Sequence, residues 1–239
     1  MIDNIAIIGS SGTLGSAFTQ QLSASYPNAK IHIFSRSPSE TLTPNVVFNS
    51  MIYQDEDSIA GAATLASREA PLDMVIVATG ILHNGALMPE KSLRELSANK
   101  FQHLFEANTI FPALVAKHFL PKLNKKNRSV FAALSARVGS ISDNKLGGWY
   151  SYRASKAALN MILKNAAIEI RRSNKQAIVV GLHPGTVDSG LSKPFQGNVP
   201  DGKLFTSEYS ARKLLCVIEN LKTGQSGKCF AWDGKEVEP

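Results

Sequence analysis

The chain has 239 residues, 44% hydrophobic and 19% charged, with 26 Lys and Arg against 19 Asp and Glu for a net charge of +7. Its apolar content is high enough to offset chain entropy, which excludes a predominantly disordered protein. Two cysteines, Cys216 and Cys229, are too few for a disulfide scaffold or a four-thiolate zinc site.

Short apolar runs alternate with longer segments of helical period, the pattern of a mostly parallel sheet covered by helices on both faces. The runs are Ile5 to Ile8, Ile31 to Phe34, Val46 to Phe48, Met74 to Ala78, Val130 to Leu134, Ala177 to Leu182 and Lys228 to Trp232. They predict a seven-stranded, doubly wound α/β sheet of Rossmann type. Several lack polar alternation, as expected of strands buried on both sides. Helices are expected over about Leu14 to Ser25, Asp57 to Glu69, Lys100 to Leu123, Trp149 to Arg172 and Ser207 to Leu221. Pro112 should kink or break the third of these. No repeat or long linker divides the chain, so residues 1–239 read as one nucleotide-binding domain.

The first strand runs into Gly9-Ser10-Ser11-Gly12-Thr13-Leu14-Gly15. Small residues suit a sharp turn from strand to helix, let the backbone approach a pyrophosphate, and leave amides at the helix start facing the anion. Glycine turns also occur without a ligand. What gives this one weight is its place at the first strand-to-helix junction of an alternating chain. The second strand ends Ile33-Phe34-Ser35-Arg36-Ser37, without the carboxylate that commonly accepts bonds from the ribose hydroxyls of NAD. Arg36 could bond a 2′-phosphate through two parallel donors, with Ser35 beside it, which favours NADP(H) over NAD(H). The plainer alternative is an exposed loop arginine.

Farther along, Tyr152 and Lys156 stand four residues apart and share one helical face. A phenol of ordinary pKa is a poor proton relay at neutral pH, and a neighbouring ammonium favours its ionised form. Such pairs are also common surface decoration.

Taken in order, the glycine-rich turn, the Tyr-x-x-x-Lys helix and the Pro184-Gly185 turn after the sixth strand resemble the short-chain dehydrogenase/reductase family along essentially the whole chain. The stretch Ser135-Ala136-Arg137-Val138-Gly139-Ser140 through Gly147-Gly148-Trp149-Tyr150 further resembles the branch that contains the C-factor cell-signalling protein. The resemblance implies a hydride-transferring oxidoreductase acting on a small carbonyl or secondary alcohol. Tyr152 would be the general acid/base, Lys156 would bond the nicotinamide ribose and lower the tyrosine pKa, and Asn108 would hold a water of the proton relay. It also implies cofactor contacts from Gly9, Ser11, Gly12, Thr13, Leu14, Gly15 and Gly80, and from the turn Pro184-Gly185-Thr186-Val187-Asp188-Ser189. In that turn the Val187 backbone and the Ser189 hydroxyl would hold the carboxamide.

Three departures stand out. The family's paired serines after the fifth strand read Ser135-Ala136, so alanine falls where the substrate-orienting hydroxyl belongs. Ser135 is the favoured catalytic replacement, which requires that the chain bulges or the strand has ended, and Ser140 is the other candidate. The fourth strand ends Val77-Ala78-Thr79-Gly80, without the usual asparagine. Near Ile52 and Tyr53 the family often has an aspartate for the adenine amino group, whereas here the nearest, Asp55, lies a little beyond. A runner-up function follows, a cofactor-binding signalling or regulatory protein with little or no turnover.

The basic balance favours an anionic partner. Its densest runs, Lys122-Lys125-Lys126-Arg128 and Arg171-Arg172-Lys175, fall near expected helix ends, where they answer the helix dipole. No nucleic-acid partner is expected. Neither is a membrane partner or a metal, since no apolar run reaches the ~20 residues of a membrane span and the five histidines lack ligand spacing. A cytoplasmic homodimer or homotetramer is expected, with a substrate lid over about residues 190–206.

Overall fold

The computed structural model describes residues 2–38, 43–85 and 87–239. Eight strands form the main sheet: β1 (Asn4–Ile8), β2 (Lys30–Ser35), β3 (Val46–Ser50), β4 (Met74–Val77), β5 (Ser129–Leu134), β6 (Ala177–His183), β9 (Cys229–Ala231) and β10 (Glu236–Val237). Their order is β10-β9-β6-β5-β4-β1-β2-β3, parallel except for the final β9–β10 pair. β7 (Thr186–Val187) and β8 (Leu204–Phe205) make a separate two-stranded ribbon. The doubly wound sheet is thus as expected, with one more strand in the main sheet than the seven apolar runs suggest. β10 is only a two-residue Glu-Val pair, too short to carry a hydrophobic period.

Alternate residues of each central strand feed two cores. Ile5, Ile7, Ile33, Ile76 and Val180 face α1 (Thr13–Ser25) and α6 (Ser207–Asn220), where Phe18, Leu22, Leu214 and Ile218 meet them. Ala6, Ile8, Phe34, Val77 and Phe131 face the opposite layer. That layer contains α2 (Glu56–Ala66), α3 (Ala98–Phe105), α4 (Phe111–Phe119) and α5 (Tyr150–Ile170), with Ile59, Phe119, Leu159 and Leu163 at the contact. Local chemistry starts three of these helices: Asp55 accepts the Asp57 amide ahead of α2, Ser97 accepts the Lys100 amide ahead of α3, and Thr206 accepts the Tyr209 amide ahead of α6.

The expected third helix is present but not uniform. Between α3 and α4 the residues Glu106–Ile110 form one wider π turn, in which the Phe111 amide bonds the Glu106 carbonyl. Pro112 lies directly beyond and cannot supply the amide that the Asn108 carbonyl would receive in an α-helix. The helix therefore widens at Asn108 instead of breaking. Among the described residues no helix is long and apolar enough to cross a membrane.

Candidate active site

The sheet order reverses between β1 and β4, so the loops leaving their carboxyl ends diverge and open a crevice. The Gly9–Gly15 turn forms one wall. Gly9 has φ +87°, and a Cβ there would lie 2.7 Å from Thr79 Cγ2. A Cβ on Gly15 would collide with the Gly9 carbonyl, so helix and strand can approach only without side chains. Gly12 is the N-cap of α1 and caps nothing with a side chain, which leaves the amides of the first turn to receive an anion. Ser11 lines the crevice, and Thr13, Leu14 and Gly15 form the turn of helix behind it.

A cavity of about 470 Å³ opens here, lined by Gly9, Gly12, Arg36, Tyr53, Gly80 and Phe111 among others. The Arg36 guanidinium lies 5.5 Å from the centre of the Tyr53 ring, and Tyr53 stacks on Phe111 at 4.4 Å. Three segments distant in sequence thus build a platform with a cation at its edge. The Ser35 hydroxyl is not part of it, because it donates to the Ser37 carbonyl. Tyr53 is a participant that sequence reasoning passed over, noting its position only for the missing adenine-binding aspartate.

At the Gly80 wall of the cavity, α5 and the π turn meet the loop that leaves β4. A Cβ there would stand 3.3 Å from Lys156 Nζ and 3.4 Å from Asn108 Oδ1. Asn108 is fully buried at the π turn; its Oδ1 accepts the Ile81 amide, and its Nδ2 donates to the Ile81 carbonyl and to Ser155 Oγ. It therefore pins the β4 loop to α5. Lys156 Nζ donates to the Leu134 carbonyl at 2.8 Å and lies 6.0 Å from the centre of the Tyr152 ring. Both side chains are buried, Tyr152 at 8% and Lys156 at 2% exposure. Burial pushes the phenol up to about 12 and the ammonium down to about 8.

The surroundings of the Tyr152 ring are apolar. It packs with Leu82, Leu104 and Ala136, flanked by Val138, Trp149 and Phe195. Ser135 does not join this group: its Oγ donates to Asn160 Oδ1 at 2.6 Å. Ala136 has extended backbone angles, and neighbouring residues of extended chain point to opposite sides, so alanine meets the tyrosine while the serine faces away. Ser140 Oγ accepts the Asp143 amide within its own loop.

The Pro184–Ser189 turn closes the far end. Gly185 has φ +77°, and a Cβ there would lie 2.6 Å from the Phe205 ring. Pro184 is tied by its carbonyl to Ser210 Oγ. The Val187 carbonyl already receives Ser192 Oγ, with Ser189 Oγ at 3.3 Å, so both expected carboxamide contacts sit in a local hydroxyl network. The segment 190–206 places Phe195 edge-on to Trp149 at 4.9 Å and to His83 at 5.6 Å, which lays it across the tyrosine.

A family model described as short chain dehydrogenase matches residues 3–199. The chain belongs to that family. It is an NAD(P)-dependent oxidoreductase. Among similar members, 1-hydroxy-2-glutathionyl-2-methyl-3-butene dehydrogenase of Rhodococcus sp. (strain AD45) is 31% identical over 194 residues, 81% of this chain and 78% of that protein. The C-signal protein of Myxococcus xanthus is 35% identical over 133 residues, 56% of this chain and 75% of that protein, in keeping with the C-factor-like branch. Among solved structures, an NADPH-bound carbonyl reductase from chicken fatty liver superposes with a TM-score of 0.85 at 25% identity, covering 100% of this chain and 99% of that one.

Proposed function

We propose that the protein is an NADPH-dependent reductase of small carbonyl compounds, with the reverse oxidation of a secondary alcohol as the minor direction. The observation that carries this reading is the meeting of Lys156 Nζ and Asn108 Oδ1 at Gly80, one helical turn from the Tyr152 phenol. The glycine walls, the uncapped start of α1 and the Arg36 edge fit a dinucleotide whose 2′-phosphate meets the guanidinium. When bound, its nicotinamide supplies the hydride.

The residues of the chain do the rest. A phenol held near 12 stays protonated at neutral pH, which equips Tyr152 to donate a proton to a carbonyl oxygen. Lys156, about 8, is mostly cationic there and offsets the negative charge left on the phenol. The Asn108 carbonyl, denied the amide of residue 112, is suited to hold a water that reprotonates Lys156 once the lysine has passed a proton back toward the Tyr152 phenolate. Val187 and Ser189 would hold the carboxamide, and Phe195 would exclude water from the reacting atoms.

Association as a homodimer or homotetramer is supported by exposed Ile110, Met161 and Ile168 on the outer surfaces of the π turn and α5. Light scattering that finds a monomer at working concentration would overturn it.

The decisive test is a carbonyl panel with NADPH, alongside parallel titrations with NADPH and NADH in wild type and Arg36→Ala. Saturable NADPH oxidation, with NADPH bound more tightly than NADH and the difference abolished in Arg36→Ala, is expected. Tighter NADH binding that is indifferent to Arg36 would overturn the phosphate assignment. Ala136 beside Tyr152 favours one second reading, a cofactor-binding regulator with little turnover; binding without oxidation of NADPH on any carbonyl would select it.

A further inference from the structure

Glu90 is completely buried in the loop between β4 and α3, yet it forms no salt bridge among the described residues. Its Oε1 accepts Ser151 Oγ at 2.6 Å, its Oε2 accepts the Ser151 amide at 3.2 Å, and its backbone carbonyl accepts the Trp149 amide at 2.6 Å. A carboxylate without a counter-ion is costly to bury unless hydrogen bonds and a positive dipole end receive it. The start of α5 provides both.

That helix start is unusual. Its N-cap is Trp149, whose ring cannot accept an amide, and whose φ of 51° is a left-handed conformation that side chains disfavour. Gly147 and Gly148 before it also have positive φ. Local preference does not hold this path. A carboxylate 61 residues away in sequence does, in the place usually taken by an N-cap serine or aspartate. The residue after Ser151 is Tyr152, and Trp149 sets its ring edge-on to Tyr152 at 6.2 Å and to Phe195 at 4.9 Å.

We propose that Glu90 is a positioning residue for the reaction: by clamping residues 149–151 it fixes the Tyr152 phenol and the Trp149 wall of the substrate side. This rests on the reading of Tyr152 as proton donor. Glu90→Ala removes the clamp, Glu90→Gln keeps its volume and an acceptor, and Ser151→Ala removes only the hydroxyl bond. At saturating NADPH, Glu90→Ala should lower kcat roughly ten-fold or more, because small displacements of a reacting group are expensive, while the NADPH Kd changes less than about two-fold. Glu90→Gln should recover most of the loss, and Ser151→Ala should lose roughly three-fold. In a Trp232→Phe background Trp149 is the sole tryptophan, and its emission should move to the red in Glu90→Ala and not in Glu90→Gln.

Unchanged kcat in Glu90→Ala overturns the proposal. So does a parallel fall of kcat, cofactor affinity and thermal stability with Trp149 emission unmoved, the signature of a plain helix cap. If Glu90→Ala does not fold, unchanged kcat in both Glu90→Gln and Ser151→Ala overturns it, and a graded loss supports it. Wild type that is active but indifferent to these variants refutes the clamp alone, whereas wild type with no turnover refutes the oxidoreductase mechanism together with it.

Discussion

The two ends of the cleft are built on different physics. The end near β2 is an open cavity with a cation, a stacked aromatic pair and free helix amides. The end at α5 is closed and apolar, and its two ionisable groups are displaced in opposite directions by burial. The first arrangement suits tight, passive holding of a charged ligand. The second suits chemistry, because electrostatic interactions gain strength where water is excluded. Interactions of the first kind lower Kd without raising kcat, and those of the second kind do the reverse.

Variants that act on one end alone should separate these roles. The largest effect belongs to Tyr152→Phe, which removes the proposed proton donor and keeps the ring: kcat should fall by about 10² to 10⁴, with NADPH affinity nearly unchanged by fluorescence titration. Arg36→Ala should weaken NADPH roughly ten- to a hundred-fold, the worth of hydrogen bonds to a charged group, and leave NADH and the saturated kcat close to wild type.

Ala136→Ser is a test in the opposite direction. It returns a hydroxyl to the apolar side of Tyr152, and a donor aimed at a developing oxyanion should raise kcat on unactivated ketones by roughly ten-fold. No gain on any ketone would show that the substrate oxygen does not lie beside residue 136. The smallest effect is on pH. Lys156 is lowered to about 8, so its charge is lost as pH rises through that value; the phenolate then loses its neighbouring cation, and kcat should decline on the alkaline side with a midpoint near 8. A profile that stays flat through that range, or that falls equally in Lys156→Met, would separate the lysine from the reaction.

How much of this was legible in the sequence follows from the range of each interaction. The glycine turn and the Tyr152–Lys156 pair could be read because their spacing is imposed by one strand-to-helix junction and one helix. Pro112 announced an irregularity in the third helix, but nothing local distinguishes a kink from a single wider turn. The two-residue strands β7, β8 and β10 are too short to show a period. Whether Ser135 or Ala136 faces the tyrosine is a matter of one step in extended chain, which sequence could only pose as alternatives. The Arg36–Tyr53–Phe111 stack and the Glu90 clamp join segments far apart in the chain, and no spacing rule reaches them.

The contrast between the two ends can be put to one measurement: NADPH Kd and saturated kcat determined together in Arg36→Ala and Tyr152→Phe. A crossed result is predicted, with Arg36→Ala losing affinity and keeping turnover, and Tyr152→Phe keeping affinity and losing turnover. If both quantities fall together in either variant, the division between holding and chemistry is wrong.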